Sequence, residues 1–143
     1  MENKFENRYQ EEKTIEKAFE TAVKAGNSDE IKKAVEARNN WMKTCGNEEM
    51  FRNVYQQYKK FRDNGNEKMN MDVYPSDVNE FVKCLKENGV TNFTFSYDGG
   101  MTLENAMKIQ KAGCKMVGLV EINDSNFYTN ERMSRAAMLF EVM

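Results

Sequence analysis

Two stretches in the second half of the chain restrict the fold more than any other feature. Phe93, Phe95 and Tyr97 alternate with Thr94 and Ser96, the period-two pattern of a strand with one buried face. Met116-Val117-Gly118-Leu119-Val120-Glu121-Ile122 is almost continuously apolar, the pattern of a strand covered on both faces and therefore central. Between them Leu103, Ala106, Met107 and Ala112 recur at helical spacing, from about 103 to 112, and Gly113 stops the helix. Strand, helix and strand joined by short loops predict a right-handed crossover, with the two strands paired in parallel. A last strand from Ala136 to Val142 then returns antiparallel beside the middle one.

Upstream, the period changes to that of helices. Ser76 is placed to cap a helix whose inner side is Val78, Phe81, Val82 and Leu85, ended by Asn88-Gly89. Residues 4–25 carry Phe5, Tyr9, Ile15, Phe19, Ala22 and Val23 at helical spacing, with Gly26 as the stop. Asn27 opens a second helix, with Glu30 completing a capping box, and Gly46 ends it. Its apolar side is Ile31, Ala34, Val35, Trp41, Met42 and Cys45. Asn47 is placed to cap a third, whose stripe is Met50, Phe51, Val54, Tyr55, Tyr58 and Phe61. One-sided helices must pack to be stable. The expected fold class is therefore α+β: an N-terminal three-helix unit over 1–66, then an α-β-α-β-β domain over 72–143 with a small three-stranded mixed sheet. Residues 64–73 read as a linker, and the two parts either stand apart or pack as one globule.

Composition removes several chemistries. The chain has no histidine and three cysteines, none in CxxC spacing. His-based triads, Cys-His dyads and structural zinc sites of His or four thiolates are thereby excluded. The cysteines read as reduced, mostly buried thiols, and the charged N-terminus lacks the apolar core of a secretory signal, so a cytoplasmic location is expected. Residues 1–71 hold 14 Lys+Arg against 13 Asp+Glu, a net of +1. Residues 72–143 hold 7 against 10, a net of −3. Neither half is a basic nucleic-acid surface, and direct nucleic-acid binding is not expected. No apolar run reaches the ~20 residues that span a bilayer, so no membrane partner is expected.

Four candidate sites remain. Asp98-Gly99-Gly100 joins the first strand to the next helix, where free amides can hold an anion. No phosphate-loop motif or nearby cation supports that, and a tight corner with Thr102 as N-cap is the simpler reading. Asp98, Glu121 and Asp124 fall at the strand ends where ligands gather in parallel sheets, so a Mg²⁺-dependent nuclease or phosphate-handling enzyme is one reading. Pairing of Glu121 with Arg132 or Arg135 is the alternative. The helical aromatics Trp41, Phe51, Tyr55, Tyr58 and Phe61 are either anchors for a partner or the core of the helical unit, and Arg52, Lys59, Lys60 and Arg62 on the third helix form a basic strip, either a solvated face or a partner contact. Finally, the loop 123–133 is long and puts Phe127 and Tyr128 at its middle as contact candidates.

The stretches YPSDVNEFVKCLKENGVTNFTFSY and AGCKMVGLVEIN resemble a small, poorly characterised α/β domain of phages and mobile elements. The resemblance covers about residues 72–133. Several such mobile-element proteins are similar to inhibitors of bacterial immunity, including anti-CRISPR proteins that block Cas9-type nucleases. What the resemblance implies is a non-enzymatic binder acting in the bacterial cytoplasm, with no cofactor and no metal. Its partner would be a host defence protein or its RNA complex. Arg52, Tyr55, Lys59, Lys60, Arg62, Phe127 and Tyr128 are the contacts expected of it. Mg²⁺ enters only in the enzyme reading. A dimerising scaffold is a third alternative, and oligomeric state stays open.

Overall fold

The computed structural model describes residues 1–44, 48–97, 99–125 and 128–143. Cys45, Gly46, Asn47, Asp98 and Phe127, which figure in the expectations above, lie outside the described residues. Three helices come first: α1 (Lys4–Ala25), α2 (Ser28–Lys43) and α3 (Glu49–Asp63). Then follow β1 (Asn70–Met71), α4 (Val78–Glu87), β2 (Asn92–Phe95), α5 (Thr102–Lys111), β3 (Cys114–Ser125) and β4 (Arg132–Val142). Among the described residues no helix is long and apolar enough to cross a membrane.

Most helix limits follow from their caps. Asn3 Oδ1 accepts from the amides of Phe5 and Glu6, and Gly26 closes α1 at φ 65°. Asn27 does the same for Asp29 and Glu30 at the start of α2. Three N-caps differ from expectation, the first being that of α3, where Glu48 rather than Asn47 stands and makes no side-chain cap bond. Asp77 rather than Ser76 caps α4, its carboxylate accepting from Glu80 N at 3.1 Å. Met101 rather than Thr102 precedes α5, at φ 52°, and Thr102 instead donates its hydroxyl to Tyr97 O at 3.4 Å.

The sheet has four strands in the order β1-β2-β4-β3, not three. The extra strand, β1, arises from the stretch read as a linker and pairs in parallel with β2, Asn70 beside Thr94 and Met71 beside Phe95. A two-residue strand is too short to show a period in sequence. The expected parallel pairing of the 92–97 and 116–122 strands is replaced by insertion of β4 between them, antiparallel to both. Two interactions drive this. β3 and β4 form one long hairpin from Ser125 opposite Arg132 to Cys114 opposite Val142. The free side of β4 then takes β2, which buries Phe140 completely against Phe93, ring centroids 5.4 Å apart. The strand expected at the centre, β3, is an edge strand with Met116, Val117 and Leu119 exposed. Its hairpin also shortens the 123–133 loop, since Asn123–Ser125 and Arg132–Met133 are ladder residues.

Side chains alternate between two sheet faces. Phe93, Phe95 and Phe140 join Phe81, Val82 and Leu85 of α4 and Ala106 and Ile109 of α5 in the main core. Phe5, Tyr9, Val54 and Tyr58 of α1 and α3 belong to the same cluster, so residues of both halves share it. On the opposite face Phe61 of α3 packs with Ile122 and Ala137. β2 is therefore covered on both faces rather than one. Its polar residues are satisfied there: Thr94 donates to Asn70 Oδ1 at 2.8 Å, and Asn70 donates to Ser96 Oγ at 2.8 Å. Leu103 and Met107, expected in the core, lie on the exposed side of α5.

Candidate functional site

The α1–α3 seam takes up Lys59 and Arg62 of the basic strip. Three tyrosines each donate to a carboxylate that also holds a cation. The Tyr58 hydroxyl donates to Glu6, which takes Arg62 Nε at 3.0 Å and Nη2 at 2.8 Å. Tyr9 donates to Asp63 at 2.7 Å, and Lys13 meets the same carboxylate at 2.8 Å. Tyr55 donates to Glu12 at 2.5 Å, with Lys59 on its other oxygen at 2.8 Å. The guanidinium of Arg62, bidentate on Glu6, holds that carboxyl down at about 2 against partial burial. Burial, and then the bonded carboxylates, push the Tyr55 and Tyr58 phenols up.

The sequence-derived contact residues therefore divide. Lys59, Lys60 and Arg62 are already paired within the chain, Lys60 with Asp72 at 2.5 Å, and Tyr55 is buried. Arg52 is exposed on α3. Tyr128 is 91% exposed beyond the end of β3.

The carboxylates of the enzyme reading do not converge where they are described. Residues 118–125 of β3 pair regularly with β4, so Glu121 and Asp124 point to opposite faces of the sheet. Asp124 is 4% exposed and receives Arg135 Nη1 at 3.0 Å and the Ser125 amide at 2.7 Å. Arg135 also donates to Ser96 O at 3.2 Å, so Asp124, not Glu121, holds the arginine as a strut between β2 and β3. Asp98 lies outside the described residues. Among the described residues no group of three His, Cys, Asp or Glu could hold a metal ion. Cys84 and Cys114 are buried, free, and pushed up to about 11, chiefly by desolvation.

The sequence reasoning singled out Trp41 as a possible anchor but missed the groove on the helical hairpin that it lines. α1 has 22 residues, about 33 Å of helix, and packs mainly with α2 and only lightly with α3. Two helices cannot cover each other's apolar sides, and Phe19, Val23, Val35 and Met42 stay exposed. On one side a groove of about 180 Å³ opens between them, lined by Ile15, Phe19 and Trp41, with Glu12, Glu16, Glu20 and Arg38 around it. Trp41 is fixed at its base. Its Nε1 donates to Glu11 at 3.1 Å, and the Arg8 guanidinium stacks 4.0 Å from the ring centroid while capping α2 through Trp41 O at 3.1 Å. The signal was the row Glu12, Glu16, Glu20, four residues apart beside Ile15 and Phe19.

Fold and site together define a small α+β module, a helix-flanked four-stranded sheet preceded by a helical hairpin. Residues 53–142 match the model of a domain of unknown function, DUF7698, and the chain belongs to that family. α1, α2 and their groove precede the matched residues. No curated protein and no solved structure matches the chain.

Proposed function

We propose that the chain is a non-enzymatic protein-binding module that presents the α1–α2 groove to a partner with an apolar anchor set among basic residues. The groove is the observation that carries this reading: an aromatic base of Trp41 and Phe19, ringed by three glutamates and one arginine. Tryptophan and apolar neighbours in a partly desolvated hollow are the usual anchor of a protein interface. Of the rim glutamates, Glu12 and Glu16 are already bridged to Lys59 and Lys13, which leaves Glu20 to favour a basic group on the partner. Exposed Tyr128 supplies a second contact of the same kind.

The partner class comes from the resemblance of residues 72–133 to anti-defence proteins: a Cas9-type effector with its guide RNA, whose nucleic-acid channels are basic. In this reading the module inhibits by occupying a surface. A cleavage assay tests it. Target cleavage by a panel of Cas9-type effectors falls in the presence of the protein, and Phe19→Glu, which places a charge in the groove, restores cleavage. Full cleavage across the panel at saturating protein contradicts the reading.

A further inference from the structure

In an Asn-Gly pair the backbone can attack the preceding side chain, because glycine has no Cβ to hinder the approach. The chain has two such pairs, Asn64-Gly65 and Asn88-Gly89. Each closes a helix, α3 or α4, in the same way: the asparagine is the C-cap and the glycine follows at positive φ, 91° and 75°. Their surroundings differ. The Asn88 side chain donates to Cys84 O at 2.7 Å, and its carbonyl accepts from Lys4 N at 2.9 Å. Gly89 lies against Glu2 O, which leaves no room there even for a Cβ. Among the described residues nothing bonds the Asn64 side-chain amide. Gly65 is exposed, and a Cβ there would meet nothing nearer than Asn123 Nδ2 at 3.9 Å. The attacking nitrogen, Gly65 N, is held by a bond to Arg62 O at 2.9 Å, at a helix end where such bonds open first. Asn88 must give up its side-chain bond and displace the N-terminal segment as well.

We propose that Asn64 is a site of spontaneous conversion to aspartate and isoaspartate, and that this conversion unclasps α3 from the sheet. Gly65 N forms a bond to Asn64 Cγ, the Cγ–Nδ2 bond breaks, and the proton lost from Gly65 N leaves with the side-chain nitrogen as ammonia. Water then opens the cyclic imide at either carbonyl. One opening gives aspartate; the other gives isoaspartate, whose backbone runs through the side-chain methylene and is longer by that carbon. The added length falls where the turn is most tightly tied. Asn66 is bound to α3 through its N and Nδ2 on Phe61 O, both at 3.0 Å, and through Arg62 Nη1 on its carbonyl at 3.0 Å. Its side chain also takes both backbone groups of Asn123, at 2.9 and 2.7 Å. A lengthened link at residue 64 does not keep all of these bonds in line. Either product also adds a carboxylate beside Asp63 at the C-terminal end of α3, where the helix dipole disfavours negative charge.

The full chain is aged at mildly alkaline pH and physiological temperature, folded and in denaturant. Each conversion adds about one dalton, and peptide mapping with isoaspartyl methyltransferase labelling places it. In the folded chain Asn64 converts at least tenfold faster than Asn88, whereas in denaturant the two rates agree within threefold. Asn64→Gln, a change at an unbonded side chain, stops the early mass gain. The isoaspartate form, separated by ion exchange, shows faster hydrogen exchange at the Asn123 amide than either the fresh chain or Asn64→Asp, which adds the charge without the methylene. Asn88 converting as fast as Asn64 in the folded chain, or no gain at Asn64 in the time that converts the denatured chain, overturns the site. Unchanged exchange at Asn123 in the isoaspartate form overturns the unclasping.

Discussion

The side-chain amide of Asn66 pairs with the backbone of Asn123 as a residue of an added strand would. Asn123 N–H donates to Asn66 Oδ1 at 2.9 Å, and Asn66 Nδ2 donates to Asn123 O at 2.7 Å. The same Nδ2 reaches Phe61 O at 3.0 Å, so one side chain ties the end of α3 to the edge of the sheet. Replacing Asn66 with Ala removes these bonds and costs about 1–3 kcal/mol. Native-state hydrogen exchange checks it: the Asn123 amide exchanges faster in the variant, while Phe93 and Phe140 amides change only by the global loss of stability.

Glu6 gives the α1–α3 seam a pH dependence. Its carboxyl is held at about 2, below its ordinary 4.5, first by the Arg62 hydrogen bonds. A depressed carboxyl stabilises the fold fully above its unfolded value and loses that contribution as pH falls through the folded value. Wild-type stability therefore declines between about 4.5 and 2. Glu6→Gln is less stable than wild type at neutral pH and shows a shallower decline across that window. Urea midpoints measured at successive pH values report both effects, and parallel curves for the two proteins refute the assignment.

Gly89 carries two requirements at once. Its φ is 75°, and a Cβ there would stand 2.0 Å from Glu2 O. The first costs an L-residue roughly 1–2 kcal/mol, and the second pushes the N-terminal segment off the body. Gly89→Ala therefore lowers the melting temperature and weakens the bond from Lys4 N to Asn88 O, 2.9 Å in the native fold. Thermal denaturation with amide exchange at Lys4 measures both. An unshifted melt contradicts the close approach.

Cys84 and Cys114 are inert at neutral pH, since burial pushes both thiols up to about 11. In a Cys45→Ser background, iodoacetamide labels neither under native conditions and both in denaturant. Mass spectrometry of the alkylated chain gives the count.

The sequence made helices legible and strand order opaque, for physical reasons. Caps such as Asn27 and stops such as Gly26 act locally, so α1 and α2 begin where expected. Strand order depends on which non-local pairing buries the most, and the wholly buried Phe140 outranked the short loops favouring a parallel β2–β3 pair. β3 reads as central because Met116, Val117 and Leu119 are apolar, yet they are exposed. Composition alone does not separate a buried strand from an exposed edge. The basic strip looked free because its partners, Glu6, Glu12 and Asp72, are distant in sequence or lie on other elements. The groove went unread because α1 and α2 each looked like a helix of a three-helix core, whereas they pack far more with each other than with α3.

Trp41 is the single tryptophan of the chain and lies at the base of the groove. Protein labelled with fluorotryptophan therefore carries one fluorine resonance, which reports the groove directly. Titrating the labelled chain with Cas9-type effector–guide complexes shifts or broadens that resonance for at least one complex, and Phe19→Glu abolishes the response. A resonance that stays unmoved across the panel, or a response that Phe19→Glu leaves intact, contradicts the assignment of the groove as the binding surface.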